Sequence, residues 1–270
     1  MICIKKITTD RILPLDGPLR LKGSHILVSL LFLASLLVSS GCTSDNGNGL
    51  NGRRSGNDTG GDENTNTDTT NVSYLALGNS YTIGESVPES ERWPVQLANR
   101  LSGDTFVVEP LRIVARTGWT TQQLLDGIER AGLRASYDVV SLLIGVNNQY
   151  RGLEFGIYRT QFDSLLRKSI DFARGREDKV FVLSIPNYGV TPFAEGRDTA
   201  QIRSEIARYN AAADSICQEY GVRFFNITPI SQRAEDDPSL VASDGLHPSG
   251  RQYRLWVEKI LDSTRIIFTE

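Results

Sequence analysis

Short apolar runs alternate with segments of helical periodicity along the last three quarters of the chain. The clearest strand pattern is Asp-Val-Val-Ser-Leu-Leu-Ile at residues 138–144, which is short, rich in β-formers and followed by a glycine. The clearest helix pattern is at residues 155–173, where apolar side chains recur near every 3.6 positions. In full, the pattern predicts strands at 72–77, 112–115, 138–144, 180–185 and 222–227, and helices at 93–101, 121–131, 155–173, 200–220 and 253–261.

Strands that alternate with helices predict an α/β fold, with a parallel sheet covered on both faces. Residues 72–270 are enough for one such domain with a sizeable core. In open parallel sheets, ligands bind beyond the carboxyl ends of the strands. The residues that follow each predicted strand are therefore the candidates for function.

The first 41 residues read as a secretion signal rather than as part of the domain. Five Lys or Arg residues precede the apolar run at 26–38, which is too short to span a bilayer comfortably and suits a signal-peptide core. The run ends in Ser39-Ser40-Gly41-Cys42, which resembles a bacterial lipoprotein signal. Ser39 stands where such signals usually have an aliphatic residue. An ordinary cleaved signal is the alternative, but we expect Cys42 to be lipidated.

Residues 42–71 consist mainly of Asn, Asp, Gly, Thr and Ser, so they cannot bury enough apolar surface to fold. We expect a disordered tether between a lipid anchor and the domain. This organisation predicts a cell-envelope protein anchored to a membrane, the outer membrane where the cell has one, facing the periplasm or the outside. Without the lipid, the protein would be secreted.

Composition excludes several classes of function. The 29 basic and 32 acidic residues nearly balance and form no basic stripe, so nucleic acid is not an expected partner. Cys217 is the only cysteine after the tether, which rules out a disulfide within the domain. We find no zinc-ligand spacing and no phosphate-binding loop, so we expect neither metal nor cofactor. We also expect a monomer.

His247 is the one histidine beyond the signal segment, and histidine is the side chain best suited to proton transfer at neutral pH. Asp244 lies three residues before it. Ser80, Gly118 and Asn147 follow the first, second and third predicted strands. Each segment alone has a plain explanation as a helix cap, a turn or a surface loop. Their arrival at one edge of the sheet favours a functional site.

These segments resemble those of the GDSL/SGNH hydrolase family, and the resemblance covers essentially all of residues 72–270. The matching motifs are Leu75-Ala76-Leu77-Gly78-Asn79-Ser80, Gly118, Gly145-x-Asn147 and Asp244-x-x-His247. The family usually has Asp before the serine and Asp after the third-block asparagine. Here those positions hold Asn79 and Asn148, which removes two negative charges near the site.

The resemblance implies a flavodoxin-like three-layer α/β/α sandwich that hydrolyses carboxylic esters through an acyl-enzyme. It implies that Ser80 is the nucleophile, His247 its base and Asp244 the acid that orients the base. It further implies an oxyanion hole made by the backbone N–H groups of Ser80 and Gly118 and the side chain of Asn147. Neither Asn79 nor Asn148 replaces a member of this triad.

The substrate is less defined by the sequence. Aromatic and amide side chains in loops at the same edge are pocket candidates: Trp119, Asn148, Gln149, Tyr150, Tyr188 and Phe193. No long apolar insertion is present to serve as a lid, so we expect a short-chain ester on a carbohydrate or another small molecule. Lysophospholipase, thioesterase and acyltransferase activities remain alternatives, as does a non-catalytic, lipid-tethered glycan-binding module.

Overall fold

The structure, a computed structural model, describes residues 69–103 and 105–269, which form one parallel sheet flanked by helices. The predicted signal peptide, Cys42 and the tether up to residue 68 lie outside the described residues. The strands pair in the order β2-β1-β3-β4-β5, and every pairing is parallel. They are β1 (Thr70–Asn79), β2 (Phe106–Arg116), β3 (Val139–Leu143), β4 (Val180–Leu183) and β5 (Arg223–Phe225).

In the described part of the chain, eight α-helices lie on or between these strands. They are α1 (Ser80–Ile83), α2 (Trp93–Leu101), α3 (Thr121–Arg130), α4 (Val146–Tyr150), α5 (Phe155–Phe172), α6 (Thr199–Glu219), α7 (Thr228–Gln232) and α8 (Gly250–Thr269). Helix α2 packs against α8, while α5 packs against both α3 and α6. The predicted three-layer α/β/α sandwich with a parallel sheet is confirmed. None of the described helices is both long and apolar enough to span a bilayer.

The core lies along the three inner strands. Every residue of β3 and β4 is buried, as is β1 from Val72 onward. Short, continuous runs of Val and Leu suit strands covered on both faces, where burial of apolar area supplies most of the stabilisation. Cys217 of α6 is fully buried as well, and burial raises the pKa of its thiol to about 12. This cysteine is therefore a core residue rather than a reactive one.

The element bounds differ from the sequence prediction mainly at the edges. Strand β2 begins at Phe106, six residues before the predicted start, and continues through Pro110. It is an edge strand, where a residue without a backbone N–H is tolerated. Strand β1 begins at Thr70, so two residues assigned to the tether belong to the sheet. At the other end, α8 is longer than the predicted 253–261 segment in both directions.

Candidate active site

Ser80 stands where β1 turns into α1, at the carboxyl edge of the sheet. The turn requires glycine at position 78, because a Cβ there would lie 2.6 Å from the carbonyl oxygen of Leu143 on β3. Asn79 caps the helix, with Oδ1 accepting from the backbone N–H of Tyr81 at 3.0 Å. As the first residue of the helix, Ser80 has a backbone N–H without an intrahelical acceptor. The position of Ser80, and with it that of its hydroxyl and its backbone N–H, is therefore fixed by the junction of β1 and α1.

His247 and Asp244 lie in the loop at residues 242–249, which precedes α8 and is called the acid–base loop after the roles predicted for these two residues. Asp244 Oδ1 accepts from the backbone N–H groups of Leu246 and His247, each at 2.9 Å. Its Oδ2 lies 2.6 Å from His247 Nδ1 and 2.6 Å from the hydroxyl of Ser86, which donates to it. The carboxylate therefore receives four hydrogen bonds, which is its full capacity.

These hydrogen bonds fix the charge state of the pair. Partial burial pushes the pKa of Asp244 upward, but the hydrogen bonds from Ser86 and His247 outweigh it and hold that pKa well below its usual value. Asp244 is ionised at neutral pH, so the contact at 2.6 Å requires a proton on His247 Nδ1. Nε2 of the neutral imidazole is then the nitrogen that accepts a proton.

Neighbouring contacts hold the acid–base loop in place. The backbone N–H of Ala242 donates to the carbonyl of His247 at 2.7 Å, and that of Phe193 donates to the carbonyl of Gly245 at 2.9 Å. The His247 ring, only 8% exposed, packs edge-on against Tyr81 with the ring centroids 5.8 Å apart. His247 is thus held by its own loop and by the residue that follows Ser80.

Residues 117–121, called the oxyanion loop after the role predicted for Gly118, lead from β2 into the first residue of α3. They are held by side chains of α4 and of Arg151, which caps it. Gly118 has φ +79, a left-handed conformation that glycine adopts without strain. Arg151 Nη2 donates to the Gly118 carbonyl at 2.6 Å, and Asn147 Nδ2 donates to the Trp119 carbonyl at 2.9 Å. With both carbonyls engaged, the orientation of these peptides is fixed. Asn147 retains a second amide hydrogen for a ligand.

Asn148 is a structural tie rather than a pocket residue. It is fully buried, its Oδ1 accepts from the backbone N–H of Thr121 at 3.0 Å, and its Nδ2 donates to the Thr121 hydroxyl at 2.7 Å. These two bonds join α4 to the start of α3. Replacement of Asn148 by aspartate would change these two hydrogen bonds, which support the oxyanion loop through the first residue of α3.

A cavity of about 140 Å³ brings the predicted catalytic residues together. Ser80, Gly118, Asn147 and His247 all line it, and Asp244 contacts His247 from outside the lining. The remaining lining residues are Tyr81, Thr117, Val146, Tyr150, Tyr188, Phe193 and Leu246. Tyr81, Thr117, Val146 and Leu246 were not predicted from the sequence, although each is the chain neighbour of a predicted site residue.

Three predicted pocket residues lie outside this lining. The Trp119 ring covers α3 at Gly127, and Asn148 is buried as described. Gln149 Nε2 donates to Glu205 on α6 at 2.7 Å, which helps to hold the pKa of that carboxyl below its usual value. Asn148 and Gln149 do not line the cavity because residues 146–150 form a helix, in which neighbouring side chains point in different directions.

The predicted pocket residues that do line the cavity are aromatic. Tyr150, Tyr188 and Phe193, here called the aromatic wall, have ring centroids between 5.9 and 6.3 Å apart. The Arg197 guanidinium lies 4.7 Å from the Phe193 centroid and 5.4 Å from that of Tyr150. Tyr150 is 45% exposed, so the wall reaches the cavity mouth.

Among the described residues, no three His, Cys, Asp or Glu side chains gather as a metal-ligand set would.

Sequence comparison identifies the family of this site. A sequence model of the GDSL-like lipase/acylhydrolase family matches residues 76–255, a span that contains Ser80, Gly118, Asn147, Asp244 and His247. The chain belongs to this family. This GDSL-like acylhydrolase is a carboxylic ester hydrolase. Among curated proteins, no sequence relative matches it.

Solved structures share the fold at low sequence identity. A lipolytic G-D-S-L family protein from Veillonella parvula is 19% identical with a TM-score of 0.53, covering 70% of this chain and 96% of that one. The psychrotrophic esterase EstA from a Pseudoalteromonas species is 18% identical with a TM-score of 0.54, covering 73% and 99%. The acetylxylan esterase Axe2 from Geobacillus stearothermophilus is 18% identical with a TM-score of 0.55, covering 75% and 96%.

Proposed function

We propose that this acylhydrolase cleaves its ester through Ser80 as nucleophile, His247 as general base and Asp244 as the acid that orients the base. The observation that carries the proposal is the 2.6 Å contact between His247 Nδ1 and Asp244 Oδ2, on a histidine that lines the same cavity as Ser80. The contact leaves Nε2 as the proton acceptor. This is the arrangement of acid, base and serine hydroxyl that activates a nucleophile.

The reaction proceeds in two half-reactions. His247 Nε2 takes the hydroxyl proton of Ser80 while Oγ bonds to the ester carbonyl carbon, and the carbonyl oxygen becomes an oxyanion. The C–O bond to the alcohol then breaks, and His247 returns the proton to the departing alkoxide. Water repeats the sequence on the acyl-enzyme. His247 takes a proton from the water as its oxygen bonds to the acyl carbon, the acyl–serine bond breaks, and the proton passes to Ser80 Oγ.

The oxyanion is stabilised by the backbone N–H groups of Ser80 and Gly118 and by the Asn147 amide. Donors of this kind contribute about 3–4 kcal/mol each to transition-state stabilisation. The backbone next to the Gly118 N–H is preorganised, because Arg151 and Asn147 already engage the Gly118 and Trp119 carbonyls before substrate arrives. Little reorientation of these dipoles is then needed as charge develops.

The proposed substrate is a short-chain ester on a carbohydrate or another small molecule. A cavity of about 140 Å³ has room for a small acyl group, and the aromatic wall offers ring faces on which a sugar can stack. The similarity to an acetylxylan esterase agrees with this choice. A panel of p-nitrophenyl esters from acetyl to long-chain, together with acetylated oligosaccharides, tests it. Preference for a long acyl chain, a thioester or an acceptor other than water would instead favour a lysophospholipase, a thioesterase or an acyltransferase, respectively.

A fluorophosphonate probe tests the catalytic proposal directly, since one neighbour of the same fold, EstA, has a structure inhibited by monoethylphosphonate. We expect labelling of the domain that disappears in Ser80→Ala and in His247→Ala. Folded protein that resists the probe and cleaves no ester would instead favour the glycan-binding module.

The lipid anchor is a separate proposal that rests on the sequence of residues 26–42. We expect expression with labelled palmitate to mark the wild-type protein but not Cys42→Ser, and the wild type to sediment with outer membranes where the cell has them. If Cys42→Ser is equally membrane-bound, the lipid does not anchor the protein.

A further inference from the structure

Ser86 lies in the loop that follows α1, six residues after the nucleophile. Its φ of +64 places it in the left-handed region, which residues other than glycine seldom adopt. The backbone reaches this position through Gly84, the left-handed cap that ends α1. An unfavourable conformation at an exposed serine calls for a contact that compensates for it.

That contact is with the acid of the proposed triad. Ser86 Oγ lies 2.6 Å from Asp244 Oδ2, 158 residues further along the chain. The same oxygen accepts the proton of His247 Nδ1. A hydroxyl at this distance from an ionised carboxylate forms a charge-assisted hydrogen bond, which is stronger than a neutral one.

We propose that Ser86 is a positioning residue that fixes the rotation of the Asp244 carboxylate. Its hydroxyl and His247 Nδ1 both donate to the same carboxylate oxygen, so both stabilise the negative charge of Asp244. The inference rests on the triad proposed above. Ser80 and Ser86 belong to one short segment, so the loop after the nucleophile supports the acid directly and, through Asp244, the base. The Asp244 side chain is 28% exposed, so water would reach this carboxylate oxygen if the Ser86 hydroxyl did not occupy the position.

Other titratable groups face the Asp244 carboxylate. Burial raises the pKa of Tyr81 and of Tyr253 far above the ordinary tyrosine value, so both stay neutral at neutral pH. Glu85, the neighbour of Ser86, accepts a hydrogen bond from the Thr117 hydroxyl at the oxyanion loop. The consecutive residues Glu85 and Ser86 therefore contact the two halves of the site, and of these two Ser86 is the one that contacts the acid.

The test removes the hydroxyl without straining the backbone. Ser86→Gly fits the left-handed conformation and lacks the donor, whereas Ser86→Asn tolerates the conformation and carries an amide N–H that can donate to Asp244. Ser90→Gly is the matched control, since Ser90 is an exposed serine of the 3-10 turn Glu89–Glu91. All variants are first checked for wild-type thermal unfolding.

We expect Ser86→Gly to lower kcat about fivefold at unchanged KM. The acid limb of its kcat/KM profile moves to higher pH, because a carboxylate with one donor fewer attracts the imidazolium more strongly. Ser86→Asn recovers most of kcat, and Ser90→Gly matches the wild type.

Two results would overturn the role of Ser86: wild-type kcat and acid limb in Ser86→Gly, or equal impairment of both Ser86 variants with an unmoved limb. Ser80→Ala and His247→Ala, run in the same assay, separate this from the triad. Full activity in either means that the triad itself is wrong. If both are inactive while Ser86→Gly behaves as wild type, only the inference on Ser86 fails.

Discussion

The two halves of the site are held by different physical means. On the acid–base side, a partly exposed carboxylate receives four hydrogen bonds and carries a full charge. On the oxyanion side, Asn147, Asn148 and Arg151 of the α4 region hold backbone groups of a neighbouring loop through permanent donors and acceptors. The first half changes when a proton arrives, and the second does not. Damage to each should therefore leave a different pH signature.

The largest effect is expected for Asp244→Asn, which tests the acid–base half of the site. The amide cannot stabilise the imidazolium and favours the wrong tautomer, so we expect kcat at neutral pH to fall by roughly 10⁴-fold. Steady-state kinetics from acid to alkaline pH measure the effect, with Asp236→Asn as the exposed control. A loss below tenfold would mean that His247 is oriented by its loop alone.

The same variant tests the lowered pKa of Asp244 through stability. Because the folded-state pKa lies below the unfolded value, the charged carboxylate stabilises the fold above the unfolded pKa of about 4. That contribution is lost as the pH falls toward the folded-state pKa. We expect the unfolding free energy of Asp244→Asn, measured with urea, to lie below that of the wild type at neutral pH and to converge with it in acid. A constant difference would contradict the assignment.

Asn147→Ala is the matching test on the other half. Loss of one oxyanion donor slows turnover by roughly a hundredfold or more. We expect the whole pH–rate profile to drop without a change of shape, because the amide does not titrate. A wild-type rate in a folded variant would remove Asn147 from the oxyanion hole.

Arg151→Met should have a smaller effect of the same kind. Methionine keeps much of the apolar stem but cannot donate to the Gly118 carbonyl, so the oxyanion loop gains freedom. We expect kcat to fall about tenfold with KM little changed. Arg159→Met, an exposed arginine on α5, serves as the control. Equal activity in both variants would show that Asn147 and Asn148 suffice to hold the loop.

The smallest effect is expected for Asn79→Asp, which restores the residue usual in the family. The carboxylate keeps the oxygen that accepts from Tyr81 N–H, and it replaces a buried Nδ2 that has no acceptor among the described residues. We expect kcat to stay within about tenfold of the wild type, since a hydrogen-bond acceptor is retained. Complete loss of activity in a folded variant would show that the charge next to Ser80 matters more than the cap.

The fold was predictable where periodicity was long. Helices α2, α5 and α6 lie within about a residue of their predicted bounds, and the parallel sheet follows from the alternation of elements. Strand β2 was underestimated because Glu109 and Pro110 interrupt its apolar pattern, and only its edge position makes them tolerable. Helices α1, α4 and α7, of four or five residues, are too short for a periodic signal.

The pocket was predicted less well than the residues at the strand ends. Strand ends fix Ser80, Gly118 and Asn147 to one edge, which a pattern of elements can anticipate. The side chains of residues 146–150 that face the cavity can be predicted only if the segment is known to be a helix. In a helix, a rotation of about 100° per residue places Asn147 and Tyr150 on a different side from Asn148, whereas a loop gives no such rule.

The backbone bond from Phe193 to Gly245 gives the site an evolutionary constraint. The side chain of Phe193 lines the same cavity as Ser80, while its N–H supports the loop that carries His247. Replacements of the ring leave that N–H in place, so substrate range can drift by point substitution. Insertions and deletions at residues 188–194 displace both functions together. Directed evolution toward new esters should therefore recover side-chain changes in this segment and few changes in its length.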